Sequence, residues 1–410
     1  MNFVRIPAYR VFQFFFYKAA KFLRWPVPTL LKGADSVFLL PQEVKRRGVD
    51  NVLFVTDRSI MQLHLPDALL GALADAGIHC TVFDAVRSNP TIEMIENARK
   101  AYLDNGCQGF IAFGGGSVID TAKVAAARIA NPKKTIEKMG GFLKVGGKLP
   151  PVFAVPTTAG TGSEVTIAAV VTDGETHHKY ALSDPHLIPA CAVLDPRLIV
   201  GLPPAITADT GMDALTHAVE AYLTQGVSRQ CRRLSEDAVR LIFANLQRSY
   251  SDGSDLEARM NMQLASFYAG DSFTRAGLTY VHPIAHTLGG LYGTPHGRAN
   301  AVILPYVLEA FGSCIHSKLK KLAAAAGLDV AEKSDAEAAA AFIEAVKEMN
   351  RSMGIPAQFD FIKEKHIPQM VKWALAEANP WYPVPQVFGA AELTAVIKKI
   401  ISKEADHENE

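Results

Sequence analysis

The sequence predicts an α/β first half built on a parallel sheet, followed by an all-helical second half. Three observations carry that prediction. From about residue 50 to residue 158, apolar runs of strand length alternate with helix-patterned runs, as in parallel strands joined by helices. Two of those strand runs pass directly into glycine-rich or hydroxyl-rich turns. After Leu202-Pro203-Pro204 the composition shifts to long helical patterns such as ALTHAVEAYL, RRLSEDAVRLIFANL and KLAAAAG. The expected division is an extension at 1–30, an α/β domain at 31–200 and an all-helical domain at 201–410. With 410 residues and 49% hydrophobic content, the chain can bury two sizeable cores.

Residues 1–30 are aromatic and basic, and no acidic residue precedes Asp35. The apolar-rich run Val11 to Tyr17 is far shorter than the ~20 residues that span a bilayer, and no small-residue cleavage site follows it. Drawn as a helix, Arg10, Tyr17, Lys21 and Arg24 share one side and Phe12, Phe15, Phe16, Ala19 and Leu23 another. Such a helix suits either peripheral contact with a membrane surface or docking on the body of the protein, and burial of an apolar helix face favours docking. We expect this segment to be dispensable for chemistry. The net charge is +1, from 42 basic and 41 acidic residues, which gives no footprint for nucleic acid. Cys80, Cys107, Cys191, Cys231 and Cys314 are scattered and contain no CxxC, pointing to reduced thiols and a cytoplasmic protein.

The α/β domain reads as strand NVLFVTD (51–57), a helix to about Ala76, strand HCTVFDAV (79–86), then a helix from Pro90-Thr91. Strand GFIAFGGGS (109–117) leads into a helix at Ser117, and PVFAVPTT (151–158) is a fourth strand. TIAAVVTD and CAVLDP read as strands closing the domain. Ligands of such sheets bind beyond the carboxyl ends of the strands. There Gly114-Gly115-Gly116-Ser117 opens a helix, so bare N–H groups and the helix dipole suit a pyrophosphate, although a tight turn alone also explains the glycines. The hydroxyl-rich turn Thr157-Thr158-Ala159-Gly160-Thr161-Gly162-Ser163 offers further donors, or simply caps itself. Asp57, at the end of its strand, is placed to accept hydrogen bonds from an adenosine ribose and to repel a 2′-phosphate; it is equally a good helix cap.

In the helical half, Asp213 and His217 are four apart in GMDALTHAVEAY, and His282 and His286 four apart in VHPIAHTLGGLYGTPHG. Each pair shares a helix face, which by itself is an ordinary helix contact. Gly289-Gly290 and Gly293-Thr294-Pro295 are expected to end the second helix and return His296 towards it. Asp213, His217, His282 and His296 then form a three-imidazole, one-carboxylate set suited to a first-row divalent metal, Fe2+ or Zn2+.

GGGSVIDTAK, PTTAGTGSEVT, GMDALTHAVEAY and HPIAHTLGGLYGTPHG, in this order, resemble the motifs of the iron-containing (group III) alcohol dehydrogenase family. The resemblance runs from about Gly33 into the C-terminal region. It implies a dinucleotide-binding α/β domain and an all-α metal-binding domain, with Asp213, His217, His282 and His296 as ligands. It places His286 near nicotinamide and substrate. It assigns NAD(P) contacts to Gly116, Ser117 and Asp120, to Thr157, Thr158, Thr161 and Thr166, and to Asn89 and Lys179. Asp57 matches a position that influences cofactor choice, which favours NAD over NADP. Pro283 and Thr287 depart from the family pattern. Ala168 matches a pocket position, where a small apolar residue suits an unsubstituted aliphatic substrate. The aromatic run Asn379-Pro380-Trp381-Tyr382-Pro383 either borders that pocket or forms a rigid surface turn.

The expected activity is metal-dependent, NAD(P)-linked alcohol dehydrogenase or aldehyde reductase chemistry on a primary alcohol or aldehyde. The cation polarises the C–O bond, nicotinamide exchanges hydride with the carbon, and His286 serves the proton path. The alternative is a dehydroquinate-synthase-like lyase using NAD without net turnover. Such an enzyme needs several basic residues for an anionic substrate, and near the ligands only Arg298 stands out. A homo-oligomer is expected.

Overall fold

The uninterrupted apolar runs of the first half fold as strands buried on both faces. A computed structural model describes residues 5–20, 25–174 and 179–402. Past α1 (Arg5–Ala20), the chain forms β1 (Thr29–Lys32), α2 (Leu40–Arg46), β2 (Asn51–Asp57), α3 (Arg58–Gln62), α4 (Asp67–Asp75) and β3 (His79–Val86). Next come α5 (Ile92–Asp104), β4 (Gly109–Gly114), α6 (Gly116–Ala130), α7 (Ile136–Met139), β5 (Gly141–Phe142) and β6 (Val152–Pro156). The last strands are β7 (Ala168–Thr172), β8 (Lys179–Ser183) and β9 (Cys191–Leu194).

Six strands form a parallel sheet in the order β1-β9-β6-β4-β2-β3. The pleat divides each strand between two cores. Leu53, Val55, Phe110 and Ala112 pack with Ile95 and Ala98 of α5 and with Val118 and Ala122 of α6. Val52, Phe54, Ile111 and Phe113 pack on the other side with Val44 of α2, Ile60 of α3 and Leu69 and Leu73 of α4. Helices therefore cover both faces, which is why these strands lack polar alternation. The connection after β2 goes to β3 on one side, and β4 returns to the other. The crevice beyond Asp57 and Gly114 is thus the switch point of the sheet.

The two β-branched runs expected to close this domain part company. CAVL becomes β9, inserted between β1 and β6. AAVVT becomes β7, which pairs antiparallel with β8 in a separate small sheet.

The second half contains α8 (Pro204–Leu223), α9 (Arg229–Ser251), α10 (Leu256–Ala276), α11 (Val281–Tyr292) and α12 (His296–Phe311). It ends with α13 (His316–Ala325), α14 (Asp335–Ser352), α15 (Ile367–Ala378) and α16 (Ala390–Lys399). The chain clusters into a sheet unit, Arg24–Leu202 with Asp252–Gly270, and a helical unit, Met1–Leu23, Pro203–Ser251 and Asp271–Glu410. Asp252–Gly270 joins the sheet unit because Met260, Leu264, Phe267 and Tyr268 pack with Leu30, Val165, Ala192 and Leu194.

α1 docks within the helical unit, by contacts the helical drawing did not anticipate. Arg10 turns inward, donating to the carbonyl oxygens of Val384 (2.7 Å) and Pro385 (2.9 Å). Phe12 and Phe16 stack edge-on against Trp381, whereas Phe15 faces solvent. A guanidinium fork satisfies carbonyls that a proline-rich turn leaves outside any ladder, which outweighs keeping the charge in water. Lys21, Leu23 and Arg24 lie outside the described residues, as do the side chains of Tyr17 and Ala19. No helix among the described residues is long and apolar enough to cross a membrane.

Candidate metal centre and nucleotide site

Three helices of the helical unit carry the metal-type residues: α8 holds Asp213 and His217, α11 holds His282 and His286, and α12 begins at His296. Ligand atoms of Asp213, His217 and His282, all buried, lie within 4.8 Å of one another. His296 stands at the edge of that group, its Nε2 3.7 Å from Asp213 Oδ1 and its ring centroid 5.2 Å from that of His282. α11 runs on through Gly289-Gly290 to Tyr292, so those two glycines do not end it. Gly293 does, at φ 67, and Pro295 precedes α12. Gly297 permits the close approach of α12 to α8: a Cβ there would lie 2.1 Å from the Asp209 carbonyl oxygen.

The electronic character of the group is set by two residues that the sequence reading missed. Glu220 accepts the Nδ1–H of His282, and it also receives the backbone N–H of Thr279 and of Val281, each at 3.0 Å. Burial pushes the Glu220 carboxyl up to about 7 against those hydrogen bonds, and burial holds His282 well below its ordinary value, so the ring is neutral. With Nδ1 protonated, His282 presents a lone pair at Nε2, 2.9 Å from His217 Nε2. Asn300 Nδ2 lies 2.7 Å from Asp213 Oδ1, 3.2 Å from His282 Nε2 and 3.1 Å from His296 Nε2. One amide donates to Asp213 and stands beside two ring nitrogens that accept when their other nitrogen carries the proton. His217 Nδ1 is buried without a hydrogen-bond partner among the described residues. An acceptor-rich, buried cluster of this kind fits a cation. Glu220 was legible in principle, since it lies three residues beyond His217 and seven beyond Asp213, on the same helix face.

His286 stands apart from this group. Its Nδ1 lies 3.0 Å from both oxygens of Glu377 on α15, and its ring stacks on His296 at 5.2 Å. Glu377 in turn accepts from the Tyr382 hydroxyl at 3.0 Å. No local sequence signal could have paired Glu377 with a histidine so distant in the chain. Arg298 is bonded to Asp209 at 3.1 Å.

The nucleotide-type residues gather within the sheet unit. Gly115 and Gly116, at the start of α6, pack so close to Thr158 and Thr161 that a Cβ on Gly116 would lie 2.8 Å from Thr161 Cγ2. Ser117 lies in the first turn of the same helix, and Thr157 N donates to Gly114 O at 3.1 Å. Two other residues are engaged internally. Asp120 accepts from Ser163 Oγ (2.6 Å) and Val170 N (2.9 Å), and Thr166 accepts from the buried Lys123 through both its carbonyl (2.9 Å) and hydroxyl (3.2 Å). Asn89 accepts from Lys179 Nζ at 2.7 Å, brought there by the bond from Thr172 N to Pro90 O. Asp57 caps α3, accepting from Ile60 N at 3.0 Å. A helix start at Gly116, beside small residues and hydroxyls at the switch point, fits a dinucleotide phosphate.

Comparison with known proteins bears on the family and the fold. The family described as iron-containing alcohol dehydrogenase matches residues 28–196, and the Fe-containing alcohol dehydrogenase family, C-terminal, matches residues 207–401. Lactaldehyde reductase of Escherichia coli (strain K12) is 37% identical over 346 residues, covering 84% of this chain and 90% of that protein. The crystal structure of 1,3-propanediol oxidoreductase superposes with a TM-score of 0.89 at 33% identity, covering 92% of this chain and 99% of the other. Sulfoacetaldehyde reductase from Bifidobacterium kashiwanohense, solved in complex with NAD+, gives a TM-score of 0.81 at 26% identity, covering 93% and 100%. With nearly the whole chain matched, two-unit architecture included, this protein belongs to the iron-containing alcohol dehydrogenase family.

Proposed function

We propose that Asp213, His217, His282 and His296 hold one divalent metal, Fe2+ ahead of Zn2+, and that the sheet unit binds NAD in preference to NADP. The protein is an oxidoreductase of CH–OH groups, an alcohol dehydrogenase or aldehyde reductase. The lyase alternative is not favoured: the relatives are reductases and dehydrogenases, and Arg298 is already engaged by Asp209. Relatives named for lactaldehyde and 1,3-propanediol support a small primary alcohol or aldehyde as substrate.

The observation that carries the metal assignment is the acceptor-rich cluster of Asp213, His217 and His282. A bound divalent cation supplies Lewis-acid polarisation of the substrate C–O bond, and bound nicotinamide supplies or accepts hydride at the carbon. Glu220 keeps His282 in the tautomer that offers Nε2. His286 gives or takes the proton at the substrate oxygen through Nε2, while Glu377 holds Nδ1. Gly116, Ser117, Thr157, Thr158 and Thr161 bind the cofactor phosphates, with Asp120 and Thr166 contributing to the same segment and Asn89 and Lys179 at its margin.

Metal analysis of the purified protein, followed by an alcohol and aldehyde panel with NADH and NADPH, tests this reading. His282→Ala should lose bound metal and turnover while remaining folded. Stoichiometric metal with normal turnover in that variant would refute the ligand set.

A further inference from the structure

We infer that α1 is a positioning element of the catalytic centre, acting through Tyr382 and Glu377 on His286. The inference rests on the reading of His286 as the proton-handling group. It concerns a helix that precedes both family matches, the first of which begins at residue 28.

The geometry is a short chain of hydrogen bonds. The Gln13 side chain, 5% exposed, donates Nε2 to the carbonyls of Pro380 (3.1 Å) and Tyr382 (2.7 Å). Arg10 donates to the carbonyls of Val384 and Pro385, and to Gln13 Oε1 at 3.0 Å, which fixes the amide orientation. α1 thus binds four carbonyls of the segment 380–385. Further support comes from Gln225, through its backbone N–H to Pro383 O and its side chain to Pro385 O, and from the bond of Tyr382 N to Ala378 O at 2.7 Å. Phe12 and Phe16 lock Trp381 at centroid distances of 5.2 and 5.9 Å. Tyr382 is therefore held at both ends, its carbonyl by Gln13 together with Val384 N (2.8 Å), and its hydroxyl on Glu377. Glu377 in turn holds the His286 ring through Nδ1 with both oxygens.

A segment with two prolines among Pro380, Trp381, Tyr382 and Pro383 satisfies few of its carbonyls from within, the bond from Val384 N to Tyr382 O being one such. Without donors from α1, the Tyr382 carbonyl keeps only the Val384 N–H (2.8 Å) and its backbone N–H stays on Ala378 O (2.7 Å), so the hydroxyl on Glu377 is held less firmly and the His286 ring with it. Those contacts argue against the expectation that residues 1–30 are dispensable for chemistry.

The test uses full-length protein and a double-mutant cycle. The Arg10→Met/Gln13→Ala variant should lower kcat for aldehyde reduction about tenfold, below the ~100-fold that a misplacement on the order of 1 Å can cost. Its metal content and its KM for NADH should match the native enzyme, which a general loss of structure would not allow. Tyr382→Phe, which leaves α1 and the aromatic ring in place, should reproduce the fall. In a His286→Ala background the Arg10/Gln13 changes should cost nothing further. Native kcat in either the Arg10/Gln13 variant or Tyr382→Phe, beside a slowed His286→Ala, would overturn the inference alone. An equal fall in both backgrounds would also overturn it. Native kcat in His286→Ala would instead remove the proton-handling reading, and this inference with it.

Discussion

Asp57 caps α3, and we propose that it also selects the cofactor, two roles that a sequence cannot separate. Its carboxylate caps α3 through Ile60 N and stands at the end of β2, beside the switch point. Capping leaves the second carboxylate oxygen for a ribose hydroxyl, and the negative charge disfavours a 2′-phosphate. Glycine is itself tolerated at helix starts, at a cost of only a few tenths of a kcal/mol relative to Asp, so Asp57→Gly tests the cofactor role with little penalty to the fold. The kcat/KM ratio of NADH to NADPH should fall about tenfold, the equivalent of ~1.4 kcal/mol. An unchanged ratio would leave Asp57 as a cap alone. Elsewhere at this scale, the pairs Asp213–His217 and His282–His286 were legible because helical spacing puts each on one face. What joins His282 to Glu220, His286 to Glu377 and Lys123 to Thr166 was not, because hydrogen bonds between separate segments leave no periodic trace.

At the scale of elements, the central strands β2, β4 and β6 were readable from continuous apolar runs. β7 was readable as a strand of the first domain but not by its partner, because β-branched composition cannot say which strand will pair with it; the antiparallel pairing with β8 decided that. The end of α11 was read correctly at Gly293 but too early at Gly289-Gly290. Buried contacts along α11 sustain the helix through Gly289 at a propensity cost of roughly 1 kcal/mol, and termination waits for the left-handed Gly293. The approach of α12 to α8 depends on a single missing side chain. Gly297→Ala would thrust its Cβ into the Asp209 backbone, so α12 must retreat and carry His296 away from Asp213. We expect a loss of about 1–3 kcal/mol of stability and weaker metal retention, read by denaturant titration and by metal content after dialysis against chelator. Full retention of metal at native stability would show that α12 yields elsewhere.

At the scale of the whole molecule, the change of composition after Leu202 correctly announced a change from sheet to helix, but composition carries no information about a later return. Asp252–Gly270 supplies Phe267, Met260, Leu264 and Tyr268 to a core begun by Leu30, Val165, Ala192 and Leu194. A fragment ending at Leu202 should therefore expose that apolar surface, bind a hydrophobic dye and precipitate, whereas addition of a 252–270 peptide should reduce the dye signal. A soluble, dye-silent fragment would show that the later segment is an accessory. The same arrangement bears on the birth of the chain. On the ribosome, the sheet unit cannot seal until Pro203–Ser251 and then Asp252–Gly270 have emerged, a wait on the order of several seconds at ~5–20 residues per second. Through that interval the apolar surface later covered by Asp252–Gly270 stays open, so the nascent chain should be most prone to aggregate when about half of it has been made.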